Sequence, residues 1–372
     1  MKEEIFNSGM NRRGFLMGSL ASAITVTGGG LTGLILSTEP SAAASKFVVN
    51  VLGNYSFTDT ATGCQVSVTV KNGIRRIVSN GIPNHTTGAF PNAGNPNTIS
   101  AQKQDFSIPS APKQGLPKLV RGAASGVAIN GVVFDPGTAE NYNNDPSSGW
   151  NVEAFNSYLN LGLDSNNAHV QPTGTYHYHG SPVGLSEIVE RKGHSPLVGW
   201  GPDGFPVYLD RGFTKAKDKK SVIKTLKSSY QLKKGVRPSG PGGAYNGDYT
   251  QDFEYISGSG DLDEANGRFQ VTPEFPKGTY CYIITNAFPY ISRQFVGTVA
   301  SGFLKTGGAP GGAQGAGQGA GQAPDLTAAA KKLGITEQQL KDALGGPPPN
   351  FATAAQKLGI TEAELKAALG AP

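Results

Sequence analysis

Short apolar runs broken by Asn-Gly and Asp-Gly steps recur through the middle of this chain, and they confine it to β-structure. Gly126-Val127-Ala128-Ile129-Asn130-Gly131-Val132-Val133-Phe134 places two β-forming runs around an Asn-Gly turn. Leu197 to Trp200 and Phe205 to Tyr208 do the same around Pro202-Asp203-Gly204, and Val66-Ser67-Val68-Thr69-Val70 alternates apolar with polar. Glycine reinforces the reading: 31 of the 257 residues in 45–301 are Gly, against roughly 7% in ordinary proteins. Each interior Gly costs a helix about 1 kcal/mol relative to Ala, so long helices are excluded there, with helix expected only near Val152–Leu161 and Lys217–Leu226. The expectation is a mainly β domain over 45–301, a single sandwich or distorted barrel with long loops.

The flanks differ in kind. Arg12-Arg13 precede an apolar run diluted by Gly, Ser and Thr from Met17 to Leu36, and Ala42-Ala43-Ala44 follows. That pattern describes a twin-arginine type signal peptide over 1–44, with an uncleaved membrane anchor as its rival. It predicts an exported protein, periplasmic, extracellular or on the cell surface, with no integral span once the signal is removed. Residues 302–324 are mostly Gly, Ala, Gln and Pro, which have little to bury and predict a tether. Within 325–372, Leu326 to Glu337 recurs 25 residues later as Phe351 to Glu362. In each copy Gly334 or Gly359 ends one helix, and Thr336 or Thr361 with Gln339 or Glu364 starts another as a capping box. Two helical hairpin repeats are expected, packed on each other or on a protein or cell-envelope partner.

Charge narrows the partners. The net charge is +5, yet Lys215–Arg237 alone carries nine basic residues and one acid, so everything else is slightly acidic. No aromatic residue interleaves with those lysines before Tyr230, and the repeats are nearly neutral, so no nucleic-acid partner is expected. Gly-x-Ser-x-Gly, Walker and His-Glu-x-x-His patterns are absent. The acids of Gly260 to Arg268 miss EF-hand spacing and read as an exposed turn.

Candidate chemistry rests on five histidines and two cysteines. In Tyr176-His177-Tyr178-His179 a strand turns both imidazoles to one face and both phenols to the other. Two imidazoles at i and i+2 suit Zn or Cu but leave the shell incomplete. His194 and His85 are the first choices to complete it; His169, Cys281 and Asp203 are further candidates. The competing reading makes the histidines hydrogen-bonded structural groups. Cys64 and Cys281 could also form a disulfide in an oxidising compartment.

These segments resemble the YHYH protein family, named for the tetrapeptide at Tyr176–His179. The similarity extends through Ser79 to His85, Phe134 to Glu140, Asn166 to Pro172, His194 to Pro196, Asp203 to Pro206, and Leu262 to Gly267 with Phe288-Pro289-Tyr290. The resemblance implies an exported or surface domain without an agreed activity. It also implies a His where Cys281 stands in Thr279-Tyr280-Cys281-Tyr282, a second tyrosine-rich strand like the first. Three functions stand open: transition-metal binding, a metal-dependent hydrolase or oxidoreductase, and a surface interaction or glycan-binding module using Trp150, Trp200, Tyr208 and Tyr290.

Overall fold

The structure, a computed structural model, describes residues 49–120, 122–189, 193–304, 326–344 and 351–369. The segment 1–44 expected to be a signal peptide, and the sequence from 305 to 325 expected to be a tether, lie outside the described residues. Among the described residues the fold is mainly β, with several sheets and no closed barrel.

A four-stranded antiparallel meander opens the domain: β1 (Tyr55–Asp59), β2 (Cys64–Lys71), β3 (Ile74–Ser79) and β4 (Gln104–Pro109). In β2 the alternation read from the sequence holds, with Cys64, Val66 and Val68 buried and Gln65, Ser67 and Thr69 exposed. Ile77, Phe106 and Ile108 join that inner face and share one core with Val127, Ile129, Val132 and Trp200 of the second sheet. The Tyr55 hydroxyl donates to the Ile129 carbonyl at 2.7 Å, and the Ser79 hydroxyl to that of Gly131 at 3.0 Å.

The second sheet has eight strands. They are β6 (Gly126–Ala128), β7 (Val133–Phe134), β8 (Ala168–Val170), β9 (Tyr176–Tyr178), β10 (Leu197–Trp200), β11 (Pro206–Tyr208), β16 (Gly267–Gln270) and β17 (Thr279–Ile283). Their order across the sheet is β16-β17-β11-β10-β6-β7-β9-β8. Both predicted turns form: Gly131 and Gly204 take φ of 86° and 92°, the left-handed region open to Gly at no steric cost. Three two-stranded pairs complete the β-structure: β5 (Lys118–Leu119) with β18 (Gln294–Phe295), β12 (Arg211–Phe213) with β13 (Ile223–Thr225), and β14 (Tyr230–Leu232) with β15 (Phe253–Tyr255).

The helix expectations inside the domain fail, for local reasons. At 152–161 the Asn156 side chain accepts from the Tyr158 and Leu159 backbone N–H groups, a turn that competes with helix. At 217–226 Asp218 caps Lys220 in a turn, and the β-branched pair Val222-Ile223 leads into β13. Among the described residues of the domain the α-helix that forms, α1 (Val183–Ile188), falls elsewhere. At the other end, Phe303 stacks on Phe106 with ring centroids 4.4 Å apart and Leu304 bridges to Ala123, so packing carries the β unit to Leu304.

The repeats form α2 (Leu326–Leu333), α3 (Glu337–Leu344), α4 (Phe351–Leu358) and α5 (Glu362–Leu369). Gly334 and Gly359 end the first helix of each hairpin at φ 66° and 69°. Thr336 with Gln339 and Thr361 with Glu364 make reciprocal capping bonds. Helices of two turns are unstable alone. The two hairpins bury Ala329, Ala330, Leu340, Ala354, Ala355 and Leu365 in one shared core. Among the described residues no helix is long and apolar enough to cross a membrane.

Candidate metal centre

The centre is built on one β-hairpin. Gln171 and Thr175 close the turn between β8 and β9, with the Gln171 N–H bonded to the Thr175 carbonyl at 2.9 Å. The register that follows sets His169 opposite His177. Strand periodicity then puts His179 on the same face as His177. The three rings form a near-equilateral group, with centroids 4.8 Å (His169–His177), 4.6 Å (His169–His179) and 4.7 Å (His177–His179) apart. Each offers a ring nitrogen within 4.8 Å of the others, so the cluster could hold a metal ion.

Hydrogen bonds orient the rings. His169 Nδ1 lies 2.8 Å from the Leu161 carbonyl and His177 Nδ1 3.2 Å from that of Thr175. A carbonyl only accepts, so both Nδ1 atoms carry the proton and both Nε2 atoms present a lone pair. Nε2 of His179 lies 3.0 Å from Nε2 of His169. The Pro136 carbonyl favours a proton on the His179 ring, although Nδ1 meets no acceptor at good hydrogen-bond geometry. Burial lowers the proton affinity of His169, and lowers that of His179 well below the ordinary value, where the neighbouring imidazoles act in the same direction. Neutral imidazoles are the form a metal requires. Glu140, Asp135 and Asp164 lie close enough to His169 to favour a cation there, while Arg293 acts in the opposite sense on His179.

The phenols of the tetrapeptide anchor its other face. Tyr176 donates to Asp164 Oδ2 at 2.7 Å. Tyr178 donates to His85 Nε2 at 2.6 Å, because the Thr86 carbonyl 3.0 Å from Nδ1 places the ring proton there, and it accepts from Asn130 Nδ2 at 3.1 Å.

The histidines chosen from sequence therefore divide. His177 and His179 belong to the cluster, and so does His169, named only as a further candidate. His85 lies behind the hairpin on Tyr178. His194 sits against Tyr208 and Phe213, with Nδ1 2.8 Å from the Ser195 carbonyl. Cys281 is on β17 in the other half of the sheet, its sulfur 3.2 Å from Gln270 Nε2, and burial pushes its thiol up to about 12. Asp203 accepts from Tyr282 at 2.5 Å and from the Gly297 N–H at 2.8 Å. Neither Cys281 nor Asp203 joins the cluster. Cys64 and Cys281 are both free and buried. The signal for His169 was in the sequence: Pro172-Thr173-Gly174 reads as a tight turn centred on Thr173, which pairs position 169 with 177.

The other features singled out from the sequence are held by local packing and hydrogen bonds. Trp150, Trp200 and Tyr208 are buried, so they form no exposed aromatic platform with Tyr290. In the acidic turn Asp263 accepts from the Ala265 and Gly267 N–H groups, and Asp261 pairs with Lys224.

The domain is thus a mainly β protein with a three-histidine cluster on one strand hairpin. A family model described as YHYH protein matches residues 105–297, over half of the chain, and the chain belongs to that family. No curated protein and no solved structure matches it.

Proposed function

We propose that this chain binds one transition-metal ion, Zn or Cu, through Nε2 of His169, His177 and His179. The observation that carries the reading is the convergence of three imidazoles within 4.8 Å of one another, two of them oriented by backbone carbonyls at Nδ1, Leu161 for His169 and Thr175 for His177. Without metal, His179 Nε2 donates to the lone pair of His169 Nε2 at 3.0 Å, and a bound ion would displace that proton to put three nitrogen lone pairs on one point. Zinc accepts such a set, with tetrahedral Zn–N bonds of about 2.0–2.1 Å.

A metal-dependent reaction, hydrolytic or redox, is the second reading, and the ligand count favours it. Three protein ligands leave a fourth position for water or substrate, as catalytic zinc sites do. His177 and His179 are buried while His169 is half-buried, so that position would admit a small molecule past the His169 edge. Asp135 and Glu140, which act on His169 electrostatically, are the acids that would take a proton there. The twin-arginine segment supports export of the folded, loaded domain.

Metal analysis of the full chain purified without chelator tests the proposal. About one equivalent of Zn or Cu, lost in His177→Ala/His179→Ala, is expected. No bound metal after reconstitution with either ion, or metal retained in the double variant, would overturn it.

A further inference from the structure

The eight-stranded sheet repeats itself. β6 and β7 form an antiparallel hairpin, β7 pairs parallel with β9, and β9 pairs antiparallel with β8. β10 and β11 form an antiparallel hairpin, β11 pairs parallel with β17, and β17 pairs antiparallel with β16. The halves meet through antiparallel β6 and β10, the pairing that a two-fold axis between identical units produces.

The correspondence reaches individual atoms. Asn130-Gly131 in one hairpin turn matches Asp203-Gly204 in the other, with Oδ1 accepting from Val132 N–H at 3.2 Å and from Phe205 N–H at 3.3 Å. Those turn residues bond equivalent phenols: Asn130 to Tyr178 at 3.1 Å, Asp203 to Tyr282 at 2.5 Å. Before the outer strands, Asp164 accepts from Tyr176 at 2.7 Å, and Asp263 from Tyr280 at 2.9 Å. Asn167 and Asn266 both take positive φ, 55° and 51°. Their carbonyls accept from His179 N–H at 2.8 Å and Ile283 N–H at 2.9 Å. The registers agree as well, His169 facing His177 as Arg268 faces Cys281.

We propose that the sheet is an internal duplication whose C-terminal half contains a latent copy of the metal site, with Arg268, Cys281 and Ile283 at the positions of His169, His177 and His179. The first half's function rests on the metal-binding reading above; the equivalence of the halves does not. Chemistry explains why the second copy is silent. Ile283 has no donor atom, the Cys281 thiol is held protonated, and the Arg268 guanidinium puts a fixed positive charge where a cation would bind. That guanidinium is itself held by Gln270 Oε1 at 2.6 Å and the Phe213 carbonyl at 2.7 Å.

The test restores the ligands in the full chain as Arg268→His/Cys281→His/Ile283→His, with the first site intact and separately in a His169→Ala/His177→Ala/His179→Ala background. Zinc is titrated against a chromophoric chelator. One equivalent more than the respective parent is expected in both backgrounds. If the unaltered chain binds one ion and the restored chain still binds one, the latent site is overturned and the metal reading stands. If the unaltered chain binds none and the restored chain binds one, the metal reading fails, and with it the claim that the second half is a copy of a metal site; only the equivalence of the two backbones is left. The reverse exchange, His169→Arg/His177→Cys/His179→Ile, guards against misfolding: it should melt cooperatively without bound metal, and unfolding of both exchanges would overturn the equivalence.

Discussion

Replacing His169 by Ala separates the ligand set built by the hairpin from the one favoured by sequence order. Tetrahedral zinc with bonds of about 2.05 Å sets its nitrogen ligands about 3.3 Å apart. His169 and His179 already stand at 3.0 Å, and no ligand pair exceeds 4.8 Å. Displacements of about an ångström would bring the ring nitrogens to that spacing. Structural zinc sites of four ligands contribute about 10–16 kcal/mol, which is about 2.5–4 kcal/mol per ligand. Loss of one imidazole should then weaken binding roughly 10²–10³-fold. Zinc affinity by chelator competition on the full chain, at fixed pH, is the assay. His169→Ala should show the full loss, whereas His194→Ala should bind within about threefold of the parent. His85→Ala, which removes only the acceptor behind Tyr178, should cost at most the roughly 10–100-fold of an outer-shell change. Parent-like affinity in His169→Ala, or a larger loss in His194→Ala, would refute the geometry.

Acid should destabilise the metal-free protein. Burial lowers the folded-state pKa of His85, His169 and His179, so below the ordinary 6.5 the unfolded chain binds protons that the folded chain refuses. Their contribution is intact above pH 6.5 and is lost as pH falls, by up to about 1.4 kcal/mol per histidine from pH 7.5 to 5.5. Urea melts in chelator, compared with Gln variants, should show that difference; coincident pH profiles would contradict it. Tyr282→Phe leaves Asp203 without its phenol donor and the Val296 N–H without its acceptor, and should cost about 1–3 kcal/mol in the same melts. Thr361→Ala removes the reciprocal cap of α5 and should lower helix stability by about 1 kcal/mol, read as helical signal lost at lower temperature.

Much of the fold was legible because its rules are local. Period-two burial in β2, both Gly-containing hairpin turns and both capping boxes follow from neighbours a few residues apart. The failures share a cause. Asn156 and Asp218 redirect segments with acceptable helix composition by bonding nearby N–H groups, which propensity alone does not weigh. The site was half legible: alternation put His177 and His179 together, but the choice among His85, His169 and His194 needed the register of β8. Cys281 was correctly seen to lie on a strand like β9. That likeness signified a second half of the sheet, and the sequence carried no sign that the halves lie side by side.

The three imidazoles span only eleven residues of chain, from His169 to His179. Closing so short a loop forfeits little entropy, so the unfolded polypeptide would retain weak affinity for the same ion. Metal added during synthesis could be captured by the nascent hairpin before the rest of the sheet exists. The same affinity limits how far metal raises the melting temperature, since an ion that also binds the unfolded state stabilises the fold by less than its full binding energy.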